Sequence, residues 1–486
     1  MTIRVADSAD ALTFQKAALP LLQDAQLRQN VRHATDVIQR KRAAVVAETP
    51  DWQPLRTAAS NIKAHTMRHL DHYLVQFEQA CTAAGGHVHW ASDADEANRI
   101  IASLVRQYGG HEVIKIKTMT SDETGLNHAL EDAGIRAHET DLAELIIQLG
   151  DDKPSHIVVP ALHKNRHQVR EIFRRRMNLP DLGSRPEDLT DAARHYLREK
   201  FLSVPIGICG ANFLVAETGS VCIVESEGNG RMCLTLPKVL IALAGIEKII
   251  PSFQDLEVFL QLLPRSATGE RMNPYNSLWT GVHPNDGPQH FHIVLLDNGR
   301  TSILADAEAR PTLHCIRCAA CLNTCPVYRQ TGGHAYGSSY AGPIGAIVTP
   351  QLLDMEHAQS LPYASSLCGA CYEVCPVKIN IPEVLIHLRG RVVREQKSPL
   401  NLESLAMKTA AAIFASRARF EAVQRLARLG QGPLTRHDRE GADWFRNLPG
   451  VLGNCTRVRD LRALPKQTFR EWWKVRAKNE EKSSDA

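Results

Sequence analysis

No stretch of this chain approaches a membrane span. Its most apolar runs, such as Val239 to Ile246, fall far short of the ~20 residues that a bilayer requires. Residues 1 to 30 scatter Arg4, Asp7, Lys16, Asp24 and Arg28 among short apolar runs, so a secretory h-region is missing and a cytoplasmic location is expected. No G-x-G-x-x-G follows a strand-like run to open a helix, which removes a Rossmann dinucleotide site from consideration. A flavin site need leave no short motif, so flavin stays open as a cofactor. Long blocks of one charge are also lacking. The densest cluster, Arg174-Arg175-Arg176, lies in a helix-like stretch and reads as a solvated face, and no nucleic-acid partner is expected.

What is present suits a soluble protein with a true core: 44% hydrophobic and 23% charged residues are ordinary globular values. At 486 residues one core is not enough, and domains with separate cores are expected. Composition suggests a helical N-terminal segment over residues 1–68, an α/β domain over 69–300, a cysteine module over 301–395 and a helical, basic region over 396–486. The polar tail Lys478 to Ala486 is expected to be disordered.

Within the α/β part, His87-Val88-His89-Trp90-Ala91 alternates like a short strand after Gly85-Gly86. Strand-like Val113 to Ile116, helical Gly125 to Ala133, strand-like Ser155 to Pro160 and a charged helix from His167 to Met177 follow, the rhythm of a layered α/β fold. Asn212 to Ala216 reads as a strand. Ser220 to Ser226 and Arg231 to Leu236, joined by Glu227-Gly228-Asn229-Gly230, are predicted to form a β-hairpin. Phe291 to Leu296 alternates and ends at the Asp297-Asn298-Gly299 turn.

Seven of the 12 cysteines lie between Cys315 and Cys375, a density that points to metal rather than to disulfides. Cys315-Ile-Arg-Cys318-Ala-Ala-Cys321-Leu-Asn-Thr-Cys325-Pro326 has the spacing of the bacterial ferredoxin run, in which three thiolates hold one cubane and the fourth cysteine ligates the other. The second run, Ser365-Ser-Leu-Cys368-Gly-Ala-Cys371-Tyr-Glu-Val-Cys375-Pro376, repeats it with serine in place of the first cysteine. Crossed ligation assigns Cys315, Cys318, Cys321 and Cys375 to one 4Fe-4S cluster, and Cys325, Cys368 and Cys371 to a second that is one thiolate short. Zinc would normally use two pairs of ligands rather than a three-cysteine run followed by C-x-x-x-C-P.

The long link between the runs resembles that of the α-helical ferredoxin domain in subunits of respiratory dehydrogenases. His314-Cys315-Ile316-Arg317-Cys318, Gly332-Gly333-His334-Ala335-Tyr336-Gly337 and Gly342-Pro343-Ile344-Gly345-Ala346 resemble the iron-sulfur B component of the bacterial L-lactate utilisation system. Upstream, Gly125-Leu126-Asn127-His128, His163-Lys164-Asn165-Arg166, Ala216-Glu217-Thr218-Gly219-Ser220 and Leu263-Pro264-Arg265-Ser266 resemble the LUD domain, whose fold is similar to that of sugar-phosphate isomerases and CoA transferases. The resemblance runs from about Trp52 to the Trp472-Trp473 segment. It implies a subunit, rather than a complete enzyme, in NAD-independent oxidation of L-lactate to pyruvate. The partners implied are a cysteine-rich A component and a second LUD-domain protein, the C component.

Oxidising a 2-hydroxy acid also needs a hydride acceptor, a base and a cation for the carboxylate, none of which a cluster supplies. Candidates to line a cleft are Glu217-Thr218-Gly219-Ser220, then Glu225, Glu227 and Arg231, and finally His163, Lys164 and Arg166, each set against a plain turn or surface role. Catalytic residues stay unassigned. Cys81, Cys209, Cys222, Cys233 and Cys455 read as inert thiols. Two other functions remain open: electron transfer from glycolate or another 2-hydroxy acid, and a cluster-carrying scaffold that only binds partners.

Overall fold

A computed structural model describes residues 13–353, 355–395, 402–437, 443–457 and 459–484. The chain forms two compact units, residues 1–395 and 396–486.

At the centre of the first unit, six parallel strands lie in the order β1-β10-β7-β4-β2-β3: β1 His87–Ala91, β2 Glu112–Lys115, β3 Arg136–Glu139, β4 Ile206–Cys209, β7 Val239–Gly245 and β10 His290–Leu296. A parallel sheet is covered on both faces, so its central strands β4 and β7 are apolar and buried throughout rather than alternating. β7, the run too short for a membrane, is buried at every position. Its Leu240, Ala242 and Ala244 join one core with Phe77 and Phe291, while Val239, Ile241 and Leu243 join another with Ile101 and Val105. A smaller sheet follows the order β8-β5-β6-β9, from β5 Phe213–Val215, β6 Ser220–Glu225, β8 Ile249–Ile250 and β9 Tyr275–Trp279.

Three expectations fail here for identifiable reasons. β6 pairs antiparallel with β5 and β9, not with Arg231 to Leu236, which lies mostly in the helix Asn229–Thr235. Gly228, at φ 88°, starts that helix, and Glu225 accepts from the Gly230 and Arg231 amides at 2.8 and 2.7 Å, filling first-turn donors that a hairpin would have paired otherwise. Ser155 to Pro160 is no strand. The Ser155 amide donates to the Pro160 carbonyl, and the His156 ring accepts from the Val158 and Val159 amides, closing a loop. Nor does the cysteine module have a core of its own: Leu27, Val31, Trp52 and Ala59 of the N-terminal helices share one with Phe213, Phe259, Leu322, Tyr328, Ile347 and Leu385.

The other strand and helix readings of the α/β part hold with small shifts of boundary, while residues 1–12 of the expected helical N-terminal segment lie outside the described residues. The helix predicted over Gly125 to Ala133 is Leu126–Asp132, and Gly125, at φ 65°, separates it from a preceding short helix, Met119–Thr124, that the sequence pattern does not predict. Arg166–Arg176 starts at an Asn165 capping box.

The second unit contains the helices Leu402–Phe414 and Arg417–Gly430, three short antiparallel strands (β11 Arg436–His437, β12 Asp443–Phe445, β13 Leu461–Arg462) and the helix Phe469–Ser484. That last helix runs through most of the tail expected to be disordered. Lys, Glu and Ala, common there, are strong helix formers.

Candidate iron-sulfur centre

The two cysteine runs fold alike. In the first, Arg317 and Ala319 flank Cys318 at φ 60° and 61°. Leu367 and Gly369 flank Cys368 in the second at φ 55° and 83°. Three of these four are not glycine, and left-handed backbone at such residues costs on the order of 1 kcal/mol each. Strain repeated at matching positions belongs to a ligand loop, whose alternating backbone turns amides inward toward an anionic group. The Arg317, Tyr328 and Ile379 amides donate to Cys315, Cys325 and Cys375 Sγ at 3.4, 3.5 and 3.3 Å. The short helices Ala320–Thr324 and Ala370–Val374, which follow the loops, pack on each other.

This packing brings the sequence-distant thiols together. Cys318 lies in the electrostatic field of Cys375 and Cys315, Cys321 in that of Cys315, Cys318, Cys371 and Cys375, and Cys371 in that of Cys325 and Cys368. Burial, reinforced by neighbouring thiols, pushes Cys371 up to about 12, Cys318 higher still and Cys321 well above its usual range; burial, with Cys315 beside it, takes Cys375 to about 11 against the Ile379 and Val377 amides. Thiolates packed in this way require a compensating cation, and bound iron supplies it. Four thiolates on one zinc would stand about 3.8 Å apart at a Zn–S distance of about 2.3 Å. Among the described residues no three cysteine sulfurs lie within 4.8 Å of one another. The donor set therefore suits a cluster and not a mononuclear zinc.

Surrounding cations agree. Lys63 and Lys248, both buried, and Arg317, whose side chain is 8% exposed, lie in the field of Cys315, with Arg300 beyond them. Burial lowers Lys63 to about 7 and Lys248 to about 8. Among the described residues, Glu123 and Glu247 are the carboxylates that form ion pairs with these cations; against the effect of burial, Arg300 and Arg317 hold Glu247 down at about 2. The positive surplus is what an anionic cluster needs beside it. Arg42 and Arg56 reach from the N-terminal helices to the carbonyls of Val374, Tyr372 and Cys375 at 2.9 to 3.2 Å.

The other candidates have structural partners. Glu217 accepts from the Phe253 amide at 2.9 Å in the first turn of a helix, and Gly219 is packed so closely that a Cβ would sit 2.2 Å from the Cys81 nitrogen. Thr218 bonds Ser220 at 2.7 Å, Glu227 accepts from the Ser226 amide, and the Arg231 guanidinium lies over the Tyr275 ring. His163 is held between Ser155 Oγ at 2.9 Å and Asp152 at 3.0 Å, Lys164 pairs with the same Asp152, and Arg166 begins an exposed helix. Burial pushes Cys81, Cys222 and Cys233 up to about 12 and Cys209 higher, as inert core thiols; Cys455 is exposed.

Sequence reading missed a buried group at the C-terminal ends of β2 and β3. Lys115 Nζ lies 2.8 Å from Glu139 Oε1 and 2.7 Å from Ser121 Oγ, with Asp122 raised by burial to about 6 and Glu144 well above its usual range. The sole signal was a lysine inside an apolar strand.

Residues 74–296 match the LUD domain model, and residues 312–379 match the 4Fe-4S dicluster domain. "Lactate utilization protein B" of Shouchella clausii (strain KSM-K16) is 43% identical over 98% of this chain and 99% of its own length. The protein of that name from Bacillus subtilis (strain 168) is 42% identical over 93% and 94%. "Uncharacterized electron transport protein YkgF" of Escherichia coli (strain K12) is 41% identical over 95% and 96%. Among solved structures, a DUF162 family protein from Deinococcus radiodurans covers 47% of this chain and 98% of its own, at 12% identity and a TM-score of 0.27, too low to bear on the fold. Identity of this order along nearly the whole length establishes that the chain belongs to the lactate utilization protein B family.

Proposed function

We propose that this protein is the iron-sulfur electron-transfer subunit of an NAD-independent complex that oxidises L-lactate to pyruvate in the cytoplasm, working with A and C components. Cys315, Cys318, Cys321 and Cys375 would hold one 4Fe-4S cluster, and Cys325, Cys368 and Cys371 a second. The observation that supports this is the electrostatic neighbourhood of the thiols: Cys318 faces Cys375 and Cys315, Cys371 faces Cys325 and Cys368, and Cys321 faces both Cys371 and Cys375. Two clusters, when bound, supply one-electron steps. The chain's own contribution is to fix the thiolates, aim amides at them and surround Cys315 with cations.

Names carried by the relatives support lactate as the substrate and electron transport as the role. No hydride acceptor is recognisable, so the isolated subunit is expected not to oxidise lactate. The test is anaerobic bleaching of the clusters in the reconstituted three-component complex. Bleaching by L-lactate is the expected result, whereas bleaching by glycolate alone would move the substrate to another 2-hydroxy acid. Rapid transfer of both clusters to an apo-acceptor, with no lactate-dependent reduction, would favour a scaffold.

A further inference from the structure

Charge is divided unevenly along the chain. Residues 396–486 contain 18 of the 57 Lys and Arg but 10 of the 53 Asp and Glu, a net of +8, which leaves 39 against 43, or −4, for residues 1–395. Such asymmetry signals a partner of opposite charge.

The same unit exposes aromatic surface. On the helix Phe469–Ser484, Phe469, Trp472 and Trp473 share one face, 69%, 42% and 54% exposed, with Phe469 centred 5.6 and 5.8 Å from the two indoles. Arg476 lies over both indoles at 5.5 and 5.9 Å. Beside them a cleft of about 460 Å³ is lined by Arg417, Phe469, Arg470, Trp473 and Lys474. Glu421 meets Arg417 at 2.9 Å and Arg470 at 3.8 Å, which leaves three cations against one carboxylate. Exposed Leu405, Met407, Phe414, Leu426 and Leu429 extend the apolar surface over the two preceding helices.

We propose that this unit docks the protein peripherally on an anionic phospholipid surface, with the Trp472-Trp473 face at headgroup depth and the cleft taking a lipid phosphate. Indoles favour the interface because they are apolar with one polar edge, and Lys and Arg add attraction to anionic headgroups. Apolar side chains scattered over three helices, with cations between them, suit a fluid headgroup layer better than the fixed contacts of a folded acidic protein. No helix among the described residues is long and apolar enough to cross the bilayer, so attachment is superficial.

The test is sedimentation of the full-length, anaerobically purified protein with vesicles of phosphatidylcholine alone or mixed with phosphatidylglycerol, read together with tryptophan emission. Binding and a blue shift with phosphatidylglycerol only, weakening with salt and unaffected by inorganic phosphate, are expected. Lys474→Gln should weaken binding about fivefold, from ~1 kcal/mol per surface cation. A Trp472→Ala, Trp473→Ala double variant should weaken it more, and both should keep the parent's iron content. Equal binding to both vesicles, no binding at low salt, undiminished binding by both variants, or an anion preference satisfied by inorganic phosphate or by an acidic protein alone would overturn the proposal.

Discussion

Ser365 Oγ accepts from the Leu367 amide at 3.1 Å, as Cys315 Sγ accepts from the Arg317 amide at 3.4 Å, and the two donors have φ 55° and 60°. Serine thus occupies a cysteine's place in a loop of the same course. On the proposed assignment a second cluster would have three thiolates, and its fourth iron should be the first lost on oxidation. Air exposure should give a 3Fe-4S electron paramagnetic resonance signal that Ser365→Cys suppresses. An undiminished signal in that variant would sink the crossed assignment.

Metal removal should loosen more than the cysteine module. Cys318, Cys325, Cys371 and Cys375 share a core with Leu27, Val31 and Trp52, whereas the cores on the two faces of the parallel sheet contain none of the seven. Cluster extraction is therefore expected to raise amide hydrogen exchange in residues 312–379 and in the helices Ala25–Ala47 and Trp52–Arg68, while β4, β7 and β10 stay protected. Protection retained in those helices would mean that they dock independently of iron.

Acid should weaken the contact between the loop at residues 155–160 and the cysteine module. His156, 3% exposed, bonds Asn323 Oδ1 at 3.1 Å, and burial lowers it from 6.5 to about 4. The unfolded chain then binds this proton at higher pH than the folded one, so the stabilisation is complete above pH 6.5 and is lost as pH falls toward 4, about 3 kcal/mol in all. Denaturant midpoints should fall with pH more steeply in the parent than in His156→Asn; equal slopes would remove His156 as the cause.

Arg300 should be among the most sensitive positions. It is 1% exposed, bonds Glu247 at 2.5 Å and grips Glu123 with two nitrogens at 2.9 and 2.8 Å. Arg300→Met would take the guanidinium from buried Glu123 and leave buried Glu247 with Arg317 at 3.4 Å, and is expected to cost about 3–5 kcal/mol by denaturant unfolding. Adding Glu123→Gln and Glu247→Gln should recover part of it. A loss below 1 kcal/mol, or no recovery, would show that water replaces the guanidinium.

Sequence alone determined the chemistry of the cysteine module, because ligand spacing is local: three thiolates on one short loop and a fourth before proline follow from residue order. It also indicated β1, β5 and β10 and the charged helix that the structure places at Arg166–Arg176, where the pattern is written in adjacent residues. The hairpin failed because whether Glu225 caps a helix or faces a strand depends on Asn229 to Thr235 packing elsewhere. The parallel order β1-β10-β7-β4-β2-β3 was illegible, since its pairings join segments as far apart as His87 and His292, and burial on both faces erases the period that marks a strand. Only tertiary structure placed Lys63, Lys248 and Arg317 around Cys315, or Lys115 against Glu139. A buried charge shows in sequence as an ordinary lysine, and its partner is fixed by packing across the fold rather than by any neighbour in the chain.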